Sequence, residues 1–369
     1  MSIGIFFIAF FGAVGLSFLF VPLVRRVALR FHIVDERTQA PARKIHTRPT
    51  PLLGGIAIFC SFFILVLFLY LWGIDFPESQ IKAKYFLGML LGALLLMIGG
   101  YFDDRYSLSP RKQIIWPIAA ALVIIASGIG ITYITNPFGG PLGTEQIRLD
   151  DYEKILFWFR GWPYKFTILA DLFTFLWLLG MMYTTKFLDG LDGLVPGVTI
   201  IGALIVAALA LDPVVDQPVT ALLAILLAGC FAGFLFWNWH PAKIFLGEGG
   251  SLFAGFMLGA LSIVSGSKVA TTALVFGIPI LDVLWVIARR LFWERHSPLR
   301  ADRKHLHFRL LDIGLSHRKT VLLLYFLTAY VGVTALFLQS RGKLIAFVVL
   351  SASMLVLGVG LMCIRWIKK

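Results

Sequence analysis

Apolar runs of about twenty residues, separated by short polar segments, recur along the whole chain. As a helix, each run is long enough to cross ~30 Å of hydrocarbon. Eleven stand out: near residues 3–24, 52–73, 85–101, 113–135, 165–183, 194–211, 218–237, 251–266, 271–288, 320–339 and 344–364. The run at 165–183 contains Asp171, and those near 85 and 251 are short. The pattern predicts an all-α polytopic membrane protein with about eleven transmembrane helices. No remaining polar stretch is long enough for a soluble accessory domain, so residues 1–369 read as one integral-membrane domain.

Composition agrees. Hydrophobic residues make up 59% of the chain and charged residues 14%, against roughly a quarter charged in a soluble domain. The first run has no basic residue before it, and Arg25, Arg26 and Arg30 follow it. That order predicts a retained first helix with its N-terminus outside, not a cleaved signal peptide. The cytoplasmic segments are then 25–51, 102–112, 184–193, 238–250, 289–319 and the C-terminal tail. Of the 33 Lys and Arg residues, 24 fall on that side and 9 on the other. The net charge of +13 is therefore mainly a topology signal. With no soluble basic domain, it argues against nucleic acid as a partner. The outside loop at about 136–164, rich in Gly, Pro, Trp and Tyr, is expected to form an interfacial hairpin or helix without chemistry. Cys60, Cys230 and Cys363 lie inside apolar runs, with neither metal-ligand spacing nor a disulfide framework.

Five polar clusters interrupt this pattern, all on the expected cytoplasmic side. Arg43-Lys44-Ile45-His46, with Arg48, precedes Pro49-Thr50-Pro51. Alone, it would be an ordinary positive-inside flank. Asp103-Asp104 ends the third run. Adjacent carboxylates repel unless a cation or basic groups neutralise them, and oxygen-only ligands suit Mg²⁺. A solvated helix end would look the same. Arg111 and Lys112, just beyond, add phosphate-binding potential. In Lys186-Phe187-Leu188-Asp189-Gly190-Leu191-Asp192-Gly193, two carboxylates three residues apart would share one face of a helical turn. EF-hand oxygen spacing is absent.

Gly247-Glu248-Gly249-Gly250-Ser251 precedes the eighth run. Such a turn can offer N–H groups to an anion, or Glu248 can hold a metal. Asp302-Arg303-Lys304-His305-Leu306-His307 places two histidines two apart, suited to phosphate contact or proton transfer. His296 and His317 read as ordinary loop residues. Asp282, after Pro279, reads as orienting a partner helix or a basic residue.

Taken in order, the five clusters resemble the polyprenyl-phosphate N-acetylhexosamine-1-phosphate transferases, the WecA/TagO and MraY superfamily, over about residues 35–320. The resemblance implies a helical bundle with a cytoplasmic-face cleft in a bacterial inner membrane. It implies transfer of a sugar-1-phosphate from a UDP-N-acetylhexosamine to undecaprenyl or another polyprenyl phosphate. UMP would be released, with Mg²⁺, or Mn²⁺ in its place, as cofactor. A homodimer is compatible with it. Ala301-Asp302-Arg303-Lys304-His305-Leu306-His307, followed by Leu310-Leu311-Asp312-Ile313-Gly314-Leu315-Ser316, is similar to the WecA/TagO branch, which implies GlcNAc-1-phosphate. The alternatives are a UDP-MurNAc-pentapeptide phosphotransferase, a catalytically impaired homologue and a transporter of lipid-linked sugars.

Carried onto this chain, the resemblance makes Asp103 the base or nucleophile-orienting group. Asp104 and Glu248 hold the metal, with Asp189 near it and the diphosphate. Asp192 and Phe245 lie near the uridine. Arg303, His305 and His307 contact the phosphates, and Lys44, His46 and Arg48 line the mouth. Four positions depart from the family pattern: Glu248 for aspartate, Lys186 with Tyr183 in an Asn-rich lead, Phe308 for a histidine and Gln113 for a lysine. Lys186 is expected to supply the phosphate-neutralising charge that Gln113 lacks.

Overall fold

A lipid environment offers the backbone no hydrogen-bond partners, so each apolar run has to satisfy its own polar groups as a helix. The computed structural model describes residues 1–35, 49–74, 81–138, 146–151, 153–159, 162–266, 269–294 and 304–367. Fourteen α-helices follow in chain order among them. They are α1 (Ile3–Arg30), α2 (Gly54–Leu71), α3 (Ala83–Tyr106), α4 (Pro110–Gln113), α5 (Ile115–Ser127), α6 (Ile168–Leu188) and α7 (Leu194–Ala210). Then come α8 (Pro218–Asn238), α9 (Gly247–Val264), α10 (Val269–Val275), α11 (Gly277–Arg289), α12 (Leu306–Asp312), α13 (His317–Phe337) and α14 (Ser340–Ile367). The fold is all-α and polytopic. Seven described helices are long and apolar enough to cross a membrane, and the α10–α11 pair brings the number to eight.

Each of the eleven apolar runs contains a helix or a helix pair, with shifted ends. The run at 165–183 continues as helix to Leu188, which brings Lys186 onto α6. The Gly247–Ser251 stretch is the first turn of α9, not a turn preceding it. The run at 271–288 is broken at Phe276 and bent by 75°. Antiparallel hairpins form in and around the loop expected on the outside. Strands β3 (Tyr133–Thr135) and β4 (Gln146–Arg148) pair, as do β5 (Glu153–Phe159) and β6 (Trp162–Thr167). A two-residue pair, β1 (Val34–Asp35) with β2 (Thr50–Pro51), lies at the other end; Pro51 O accepts from Phe245 N at 2.8 Å.

Helix α9 is the axis of the bundle, with 89% of its spanning window buried, against 17% for α1. It packs against α2, α3, α6 and α7. Apolar side chains on the outer helices, such as Phe7, Ile8, Phe11 and Leu19 of α1, face outward. Lipid tails are as apolar as these side chains, so helix association depends on close packing rather than on exclusion from water. Small residues supply it. A Cβ on Gly100 of α3 would strike the backbone of Gly249, and one on Gly55 of α2 would strike Gly250. Gly100→Ala should therefore cost ~1–3 kcal/mol as overpacking. It should read as a lower Tm in detergent, whereas Gly4→Ala, with open space around it, should be neutral.

Candidate active site

Four of the five polar clusters meet at one end of the bundle. The last turn of α3 brings Asp103 and Asp104. Asp103 Oδ1 accepts from Leu108 N at 2.9 Å and from Gln113 Nε2 at 2.8 Å. Asp104 Oδ1 accepts from Glu248 N at 3.1 Å, in the first turn of α9, where backbone N–H groups lack helical partners. The positive end of the α9 dipole favours a carboxylate there. On α6, Lys186 forms an ion pair with Glu248, and its Nζ donates to Gln113 Oε1 at 3.1 Å. Lys186 thus touches two other residues that depart from the family pattern, Glu248 and Gln113.

Asp189 is the residue after α6, at the water-facing mouth of this group. Crowding by protein, then the charges of Glu248 and Asp192, push its carboxyl up to about 7. Asp104, Asp189 and Glu248 are oxygen-only ligands of the kind a hard divalent cation takes, with the Lys186 ammonium offsetting part of their charge.

Asp189 and Asp192 do not share a helical face, because α6 ends between them and the chain turns. Asp192 is buried and faces elsewhere: its Oδ2 accepts from His240 Nδ1 at 2.7 Å and from Ala242 N at 3.1 Å. His240 stacks on His317, with centroids 4.0 Å apart and rings 15° from parallel. His317 Nε2 lies 3.3 Å from Asp192 O, so it is not an ordinary loop residue. Ligand atoms of Asp192, His240 and His317 fall within 4.8 Å of one another and could hold a metal ion. Nothing in the local sequence spacing marks this trio.

His305 and His307 are both buried. Their rings are parallel, 5.7 Å apart, and His305 also stacks on Phe187 at 5.7 Å. Asp282 fixes this pair. Its Oδ2 is 2.8 Å from His305 Nδ1 and its Oδ1 accepts from Leu306 N at 2.8 Å. The expectation that Asp282 orients a basic residue is met, and the residue is His305. A Cβ on Gly190 would strike His307 Nε2, so the absence of a side chain at 190 brings the α6 end against the histidines.

Phe245 lies beside the start of α9, its carbonyl accepting from Gly54 N at 3.0 Å. Arg111 and Lys112 are exposed on α4. Asp171 accepts from Thr167 N at 2.8 Å in the first turn of α6, a capping role remote from the cluster in sequence. Lys44, His46, Arg48 and Arg303 lie outside the described residues, as does His296.

The sequence model of glycosyl transferase family 4 matches residues 86–266. A probable undecaprenyl-phosphate N-acetylglucosaminyl 1-phosphate transferase of Bacillus subtilis is 31% identical over 340 residues, 90% of this chain and 85% of the relative. The chain belongs to glycosyl transferase family 4. A decaprenyl-phosphate N-acetylglucosaminephosphotransferase of Mycolicibacterium smegmatis is 32% identical, covering 85% of this chain and 76% of the relative. A phospho-N-acetylmuramoyl-pentapeptide-transferase of Desulforamulus reducens is 32% identical, covering 87% and 93%. The superfamily expected from the motifs is the one found, and this family-4 chain is a sugar-phosphate transferase of the membrane. In such an enzyme a histidine held by a carboxylate is fixed in tautomer and orientation. Asp282→Asn should lower turnover by about 10–100-fold, the scale for groups that orient a functional side chain. The Tm should change little, because the amide oxygen can still accept from Leu306 N.

Proposed function

We propose that the chain transfers GlcNAc-1-phosphate from UDP-GlcNAc to a polyprenyl phosphate such as undecaprenyl phosphate, releasing UMP. The observation that carries this is the meeting of Asp103, Asp104, Asp189, Glu248, His305 and His307 from four separate elements at one end of an apolar bundle. Read with the positive-inside bias, that end is the cytoplasmic face of a bacterial inner membrane, the N-terminus is outside, and residues 1–369 form one transferase domain. The N-acetylglucosaminyl-phosphate transferase names of the B. subtilis and M. smegmatis relatives support the donor and the lipid class.

Asp103 orients the lipid phosphate or takes its proton; Gln113 and Leu108 N fix its carboxylate for that task. The attacking oxygen forms a bond to the β-phosphorus of the donor, and the bond to the UMP oxygen breaks. Asp104, Glu248 and Asp189 would hold Mg²⁺, or Mn²⁺ in its place, which supplies charge neutralisation at the diphosphate. His305, oriented through Nδ1 by Asp282, presents Nε2 to the phosphates beside His307. Arg111, Lys112, Lys186 and Arg303 add positive charge, and Lys44, His46 and Arg48 line the approach. Phe245 and Asp192 border the nucleotide, Asp192 by holding its loop through His240.

The transporter alternative calls for unpaired charges near the bilayer midplane. Asp171 caps a helix and Asp282 is spent on His305, so neither serves that purpose. The test is UMP release by detergent-purified protein given undecaprenyl phosphate, Mg²⁺ and UDP-GlcNAc. Wild type should give lipid-dependent UMP. Asp104→Asn should lose ~100-fold or more, the scale of one preorganised electrostatic group. UMP from the UDP-muramoyl pentapeptide alone would reassign the donor, and none from any donor would sink the proposal.

A further inference from the structure

The Lys186 ammonium lies inside the acidic cluster, not at its rim. It contacts the Glu248 carboxylate and Gln113 Oε1. Gln113 passes that link to Asp103, and the Glu248 backbone passes it to Asp104. One cation is therefore within two hydrogen-bonded steps of three carboxylates from two other helices. The paired side chains are 18% and 16% exposed, so solvent screens them only partly. The Tyr183 ring, with its centroid 5.6 Å from Nζ, flanks the ammonium. A carboxylate that already holds an ammonium attracts a second cation less strongly, and the two cations repel.

We infer that Lys186 is a tethered counter-ion that competes with the divalent cation for Glu248. The inference rests on the cation reading above and deepens it. Cation binding is then an exchange: the ammonium releases Glu248 as the ion takes its place. A flexible four-carbon stem lets the displaced ammonium move without moving α6. Gln113 Oε1, already within hydrogen-bond reach, retains it at the site. An arriving diphosphate offers it a better partner than Gln113. Donor and cation therefore bind with positive coupling that runs through this one side chain. No covalent bond changes in the exchange.

The test is a Mn²⁺ titration of the full chain in detergent, read by the paramagnetic resonance signal of free Mn²⁺, with and without UDP. Lys186→Gln should bind Mn²⁺ about tenfold more tightly than wild type, the effect of removing one like charge from a half-buried site. UDP should tighten Mn²⁺ binding less in that variant than in wild type. Lys186→Arg should stay close to wild type. Equal or weaker Mn²⁺ binding by Lys186→Gln, or no binding by either protein, overturns the inference. Should Lys186→Gln aggregate, saturating Mg²⁺ should restore a monodisperse protein by replacing the lost charge, and failure to do so also overturns it. Neither lipid nor UDP-sugar is present, so failure of the transferase assay would leave this result standing, and the reverse holds too.

Discussion

Helix ends that bear carboxylates can share a counter-charge only where their backbones come close, and the crossing of α9 with α2 and α3 provides that approach. Backbone meets backbone at Gly100–Gly249 and at Gly55–Gly250. The first turn of α9 is thereby held against Asp104, so that its unpaired N–H groups meet an acceptor instead of lipid. The same approach sets Glu248 within reach of Lys186 on α6. Negative charge at this end is thus offset by a helix dipole, by an ammonium and by whatever cation the oxygen ligands hold. Each contribution depends on spacing that a single methyl group would disturb.

Two aspartates three residues apart illustrate how burial divides labour. Asp192 is enclosed, and its carboxylate is committed to His240 and a backbone amide. Asp189 is open to water and surrounded by like charge. The first holds a loop in place, and the second stays open to water. A similar division separates Asp103, engaged with the next loop, from Asp104, engaged with α9.

The helices were legible in the sequence because hydrocarbon thickness imposes a length, and apolar runs record it. Their ends were not. Lys186 and Gly247 look like loop residues by composition, yet both belong to helices: the lysine finds a carboxylate, and the glycine takes a positive φ against Asp104 where a side chain would not fit. The break at Phe276 left no polar mark. Within the site, adjacent or motif-borne residues such as Asp103, Asp104, Asp189 and Glu248 could be picked out from local spacing. The long-range partners could not: His305 meets Asp282 across 23 positions, and His317 meets Asp192 across 125. His240 had no signal of its own, because a histidine before proline is unremarkable until its neighbours are known.

The stacked His240–His317 pair bears on how this chain can be divided. The stretch that carries the family signature, residues 86–266, contains Asp103, Asp104, Asp189 and Glu248. It excludes Asp282, His305 and His307, and it excludes His317, which joins the start of α13 to the Asp192 turn. It also lacks α2, one of the two helices on which α9 rests by glycine contact. A fragment cut at those boundaries would keep a recognisable signature and lose α2, the Asp282–His305 pair and the His317 contact with the Asp192 turn. What defines the family by sequence is therefore smaller than the unit that can fold and work.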